Sequence, residues 1–142
     1  MKRYLALDVG DATLGVAVSD LLGLTAQGVE TIRRRTLKDD LARLGELMEQ
    51  YGTKSLVVGL PRNMNGTQGE RCEVVRAFAA EIEKAVPGAE VEFWDERLST
   101  VAATRSLLEA DLSRRKRRKV IDKMAAVFIL QGYLDSLSMK RG

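Results

Sequence analysis

Hydrophobic and polar positions along this chain follow two alternating periods. The apolar run Arg3–Leu7 predicts a buried strand that ends at Asp8, with Asp8–Asp11 as a turn. Leu14–Ser19 predicts a second strand, and the short connection makes the pair an antiparallel hairpin. Gly28–Ile32 is a third, weaker strand. Leu37, Leu41, Leu44, Leu47 and Met48 then recur at helical spacing as far as Tyr51. Thr36 and Asp39 frame that helix as a capping-box variant, and Gly52 stops it. Ser55–Gly59 reads as a buried strand, followed by a loop over 60–69. A second helix carries Val74, Val75, Phe78, Ile82 and Val86 on one face and ends at Pro87–Gly88. Glu90–Trp94 alternates as a strand. Ser99 caps a short helix through Ala110, a basic run follows, and a last helix extends from Val120 to Ser138. A meander of three strands followed by βα units predicts an α/β fold with a mixed sheet covered by helices. No composition break divides it, so residues 1–142 read as a single domain.

Composition narrows the chemistry. The chain has 142 residues, no histidine and one cysteine, Cys72. Imidazole proton shuttles, Ser-His-Asp triads, thiolate zinc sites and intrachain disulfides are thereby excluded. Any hydrolysis must run on carboxylates, Lys, Arg, hydroxyls or a metal held by oxygen. A single cysteine fits a reducing cytoplasm. Asp8 and Asp11 interrupt the first apolar run too early for a signal peptide, and the run Met124–Leu130 is too short to cross a bilayer, so no membrane association is expected. Cys72 itself is expected to be inert.

Charge is placed unevenly. Residues 1–96 hold 12 Lys and Arg against 16 Asp and Glu, whereas residues 97–142 hold 11 against 4. Six consecutive cations, Arg114, Arg115, Lys116, Arg117, Arg118 and Lys119, dominate the second part. Such asymmetry is a footprint for a polyanion. A solubilising charge run is the plainer alternative.

Topology converges acids on one edge. If the first strand and the two later βα strands run parallel, their C-terminal ends share the edge where open α/β sheets bind ligands. Asp8 ends the first, the 59–69 loop leaves the second, and Asp95 and Glu96 end the third. Asp122 shares a helical face with Ala125, Ala126 and Ile129, a face that must pack on the sheet. A carboxylate there either serves the helix dipole or binds a ligand. Clustered carboxylates repel unless a cation neutralises them, and oxygen-only ligands select Mg²⁺ or Mn²⁺. Paired ions of this kind support in-line phosphoryl displacement without histidine.

At these residues the chain resembles the YqgF/RuvX family of Holliday-junction-resolvase-like and pre-16S rRNA nucleases. The blocks are Leu7–Gly10 with Gly15–Asp20, Val58–Pro61 with Met64–Gly69, Asp95–Ala103, and Asp122–Ala126 with Ile129–Asp135. The resemblance implies an RNase H-like fold with a five-stranded mixed sheet in the order 3-2-1-4-5. It also implies a divalent metal held by Asp8, Glu96 and Asp122 as catalytic carboxylates, which prefers Glu96 to Asp95. Arg97 would contact phosphate or pair with a neighbouring acid. Two departures stand out. The family usually has Lys or Arg between Gly10 and Gly15, where this chain has Asp11-Ala12-Thr13-Leu14, and it usually has Asp where Asn65 stands.

The remaining candidates divide between two roles each. Gly66, Thr67 and Gly69 could present N–H groups to phosphate, or Thr67 could simply cap the helix. Thr13 could bond a phosphate or serve the hairpin. Arg62 lies in the same loop as a candidate nucleic-acid contact. Asp20 reads as a turn residue, and Trp94 as packing beside the last strand. The expected activity is a Mg²⁺- or Mn²⁺-dependent nuclease acting on structured RNA or branched DNA, cytoplasmic, as a monomer or homodimer. Trimming of the pre-16S rRNA 5′ end is preferred to junction resolution on the resemblance. A non-catalytic nucleic-acid-binding module is the rival, supported by the altered turn at 11–14. A sugar-kinase or actin-like ATPase, suggested by Asp8-Val9-Gly10, would need a second lobe for which 142 residues leave no room.

Overall fold

A computed structural model describes residues 2–61, 69–98 and 114–141. The side chains of Arg97, residues 114–123, Lys140 and Arg141 lie outside that description. Five strands form one sheet: β1 (Leu5–Val9), β2 (Thr13–Ser19), β3 (Ala26–Arg33), β4 (Ser55–Leu60) and β5 (Glu90–Asp95). Their spatial order is β3-β2-β1-β4-β5. The meander β1-β2-β3 is antiparallel, and β1, β4 and β5 are mutually parallel. The expected mixed sheet and strand order are both present.

Among the described residues three α-helices cover the sheet: α1 (Leu37–Gln50), α2 (Glu70–Ala85) and α3 (Arg114–Arg141). Strand alternation sorts the core into two layers. Leu5, Leu7 and Val9 of β1 pack with Val58 and Leu60 of β4 under α1 and α2. Ala6, Ala17 and Val57 face α3 and meet Ala125, Ala126 and Ile129. Ala6 and Ala17 are register partners, so alanine faces alanine and α3 lies close against the middle of the sheet.

Several boundaries differ from the sequence reading for identifiable reasons. β1 continues through Asp8 to Val9, because Asp8 pairs with Gly15 and Val9 with Leu14 in the antiparallel ladder. The turn shrinks to residues 10–12, closed by the Gly10 N–H on the Thr13 carbonyl at 2.9 Å. A Cβ at Gly10 would lie 2.8 Å from that carbonyl oxygen, so the tight turn needs glycine. Thr36 caps α1 as expected, its hydroxyl accepting the Asp39 N–H at 3.1 Å. α2 begins after Gly69, which stands at its N-cap without a side-chain bond, and Thr67, the expected cap, lies outside the described residues. Val74 is exposed, and Cys72 and Ala79 take up the buried stripe with Val75, Phe78 and Ile82. The basic run is not a connector: α3 starts at Arg114, since Arg and Lys are strong helix formers and no Gly or Pro interrupts them. The short helix expected over 99–110 lies outside the described residues. No helix among the described residues is long and apolar enough to cross a membrane.

Candidate active site

Asp8 is 6% exposed although it sits in the middle strand of the sheet. Its parity sets it on the α3 face, opposite Leu7 and Val9. On that face both neighbouring strands carry glycine. Gly15 is its register partner on β2. Gly59 on β4 stands one residue beyond Val58, the partner of Leu7. The carboxylate therefore has room on both sides that any larger residue would fill.

Gly59 does more than leave space. A Cβ there would collide with Ile129 Cδ1 of α3 and lie 3.3 Å from Glu96 Cγ. The missing side chain lets α3 and the turn after β5 close over one point of β4. Glu96 opens a short 3₁₀ turn (Glu96–Leu98) and is 8% exposed. It lines one cleft with Asp8, Val9, Gly10, Asp11, Gly59, Pro61 and Arg71, a space of about 290 Å³. Strand parity separates Asp95 from Glu96. Asp95 alternates in phase with Val91 and Phe93, which pack under α1 and α2. It therefore faces away from Asp8, and the turn beyond it returns Glu96 to the cleft.

α3 runs antiparallel to β1. Tyr133 meets Tyr4 at the start of β1, with ring centroids 5.3 Å apart, while Ile129 stands over Gly59 near the C-terminal edge. Asp122 lies two turns before Ile129, so the helix carries it toward the cleft edge. Its side chain is outside the described residues, and among those described no group of three or more acids gathers as a metal site. Arg62 and Thr67 also fall outside the described residues, as do the side chains of Arg97 and Arg114–Lys119. Thr13 opens β2 and serves the hairpin through its carbonyl. Asp20 closes the β2–β3 turn, accepting from the N–H groups of Leu24 at 2.7 Å and Thr25 at 3.2 Å. Those bonds, led by the one from Leu24, hold its carboxyl below the usual range. Trp94 packs edge-on to Tyr133 and against Gly132, as expected of a packing residue.

Two supports were missed in the sequence. Asp40, 2% exposed, accepts from Arg34 Nε at 3.2 Å and from the Arg35 N–H at 3.1 Å. Arg34 in turn donates to the Gly10 carbonyl at 2.8 Å and lies over the Phe78 ring at 4.9 Å. A buried ion pair thus props the turn beside Asp8. Arg71 is the other: its guanidinium bonds Asp11 at 2.5 Å and also the Val9 carbonyl. A cation in the first turn of α2, against the helix dipole, was the signal available in the sequence.

A family model described as "RuvX: Holliday junction resolvase" matches residues 2–136. The chain belongs to the RuvX family. A Moorella thermoacetica relative, described as a candidate pre-16S rRNA nuclease, is 64% identical over 135 residues, covering 95% of this chain and 96% of its own length. A Clostridioides difficile relative with the same description is 62% identical over 133 residues, covering 94% of each chain. Among solved structures, Thermus thermophilus RuvC in complex with a Holliday junction superposes with a TM-score of 0.61 at 13% identity, covering 96% of each chain. That likeness establishes the RNase H-like fold of this RuvX-family chain.

Proposed function

We propose that this RuvX-family chain is a divalent-metal-dependent nuclease, cytoplasmic, that trims the 5′ end of pre-16S rRNA. Membership of the family makes it a nuclease, a hydrolase of phosphodiester bonds. The observation that carries the rest is the pair Asp8 and Glu96, two carboxylates each more than nine-tenths buried on one cleft. Buried carboxylates are costly unless a cation or hydrogen-bond donors offset them. An all-oxygen donor set, with no histidine in the chain, fits Mg²⁺ or Mn²⁺. Asp8, Glu96 and, from α3, Asp122 would hold the metal. When bound, the metal supplies charge stabilisation for in-line attack on phosphorus. The protein's own part is to keep the carboxylates fixed: Asp8 by its strand ladder, Glu96 by the turn packed over Gly59.

The relatives are described as pre-16S rRNA nucleases, and that description supports pre-16S rRNA as the substrate. A branched DNA junction is the second reading, supported by the RuvX description and the RuvC fold. Thr13, Arg62, Thr67, Arg97 and Arg114–Lys119 are proposed to contact the nucleic acid.

Thermal denaturation with increasing Mn²⁺ tests the site. Binding to the native state should raise the melting temperature by mass action, and Asp8→Asn should abolish both that shift and cleavage of a pre-16S 5′-leader RNA while sparing RNA binding. Unchanged turnover in Asp8→Asn would sink the assignment. RNA binding without cleavage in the wild type, with no Mn²⁺ shift, would favour a binding module instead.

A further inference from the structure

The cleft has one cation among its described lining residues, Arg71, and that cation is already engaged. Its two contacts are unlike each other. The Val9 carbonyl lies at the end of β1, one residue past Asp8, and belongs to the rigid sheet. Asp11 lies in the short turn, and its side chain is 93% exposed. An ion pair this open to water contributes little to folding, because solvent screens it and both side chains lose freedom. Arg71 also stands in the first turn of a sixteen-residue helix, where the backbone dipole opposes a cation. Neither the helix nor the ion pair explains why a guanidinium should be held there.

A phosphate would explain it. The nuclease reading requires a polyanion to approach Asp8, Asp11 and Glu96, three carboxylates that line the cleft. The turn between Gly10 and Gly15 carries no basic residue to offset them. Resting on that reading, we propose that Arg71 is a phosphate-binding cation of the cleft, and that Asp11 is its built-in competitor. The Val9 carbonyl anchors one edge of the guanidinium beside Asp8. Asp11 occupies another nitrogen until a phosphate oxygen displaces it. The planar fork of arginine suits this exchange, since it binds carboxylate and phosphate with the same geometry. Asp11 thereby raises the threshold for binding, and anions with a closely placed phosphate pass it more readily than isolated surface charges do.

The test is a binding measurement, by fluorescence anisotropy, of a labelled RNA hairpin with a 5′ single-stranded extension, without divalent metal. Wild type, D11N, R71Q and D11N/R71Q are compared, each first checked for a cooperative melt, with R71K as the variant that keeps charge and folding if R71Q does not melt cooperatively. D11N should tighten binding by about threefold to fivefold, the measure of a freed exposed pair. R71Q, or R71K in its place, should weaken it, and D11N should have no effect once Arg71 is replaced by glutamine, which leaves Asp11 no cation to compete for. If D11N tightens binding equally in both backgrounds, only net charge is at work and the proposal is overturned. If all the variants bind as the wild type does, Arg71 has no such role, while the nucleic-acid reading stands. If the wild type binds neither this RNA nor a four-way DNA junction, the nucleic-acid reading itself falls.

Discussion

Tyr133 shows how a single residue ties the edge of the sheet to the last helix. Its hydroxyl donates to Glu92 on β5, and its ring meets both Tyr4 and Trp94. Burial first, and the Glu92 carboxylate second, push its phenol above the ordinary value of 10.0. A raised folded value means the fold favours the neutral phenol. That contribution is complete below the unfolded value and is lost as pH rises through the folded one. Between about pH 9 and about pH 11 the melting temperature of the wild type should fall more steeply than that of Tyr133→Phe, which has no proton to lose there. Parallel curves would show that the Glu92 contact carries no linkage. At this scale the sequence was partly legible. Asp8 and Glu96 stood out because acids end predicted strands. Asp40 and Arg34 did not, because a charged pair at the start of a helix looks like an ordinary capping feature until burial is known. Asp95 against Glu96 stayed open in the residues alone, for the parity of a strand end depends on the exact residue at which pairing stops.

At the scale of elements, the approach of α3 to β4 decides the cleft. The contact depends on Gly59, whose absent side chain admits Ile129 and Glu96. Gly59→Ala should force both to move, at a cost of about 1–3 kcal/mol in stability, the usual range for overpacking. Gly132→Ala crowds α3 against Trp94 at 3.1 Å in a similar way, about one turn further along the same face of the helix. Both variants should melt earlier, and only Gly59→Ala should also lose cleavage beyond what its stability predicts. Equal losses of activity would detach Glu96 from the site. Periodicity made most of the elements readable: the five strands and the helices α1, α2 and α3 follow from spacing, whereas the strand order came from the family resemblance. The exceptions have separate causes. Val9 extends β1 by pairing with Leu14 across the turn, α2 takes Gly69 as its cap without a side-chain bond, and α3 begins inside the basic run because arginine and lysine favour helix.

Across the molecule, charge separates along the chain, and folding turns that separation into a geometry. The helical start of α3 changes what the basic run can do. Six consecutive helical residues advance about 100° each, so they surround the helix instead of forming a single stripe. Arg115 and Arg118 share the register of Asp122, Ala125 and Ile129, whereas Lys116 and Arg117 lie toward the other side. If the nucleic acid crosses the cleft, reversing Arg115 and Arg118 to Glu should flatten the salt dependence of binding more than reversing Lys116 and Arg117. Each lost phosphate contact is worth a slope change of about one. Equal slopes for the two pairs would mean a diffuse attraction and no aligned track. The asymmetry itself was plain in the composition. Its orientation was not, because a run of cations reads equally well as a connector and as a helix.

One packing detail makes the protein its own reporter. Trp94 is the single tryptophan of the chain, pressed against Gly132 and edge-on to Tyr133, two residues before Glu96. Its indole is therefore the single tryptophan emitter, placed at the seam between sheet and helix. Any event that lifts α3 from the sheet or shifts the turn carrying Glu96 changes the surroundings of that one ring, and its emission can be followed without attaching a dye.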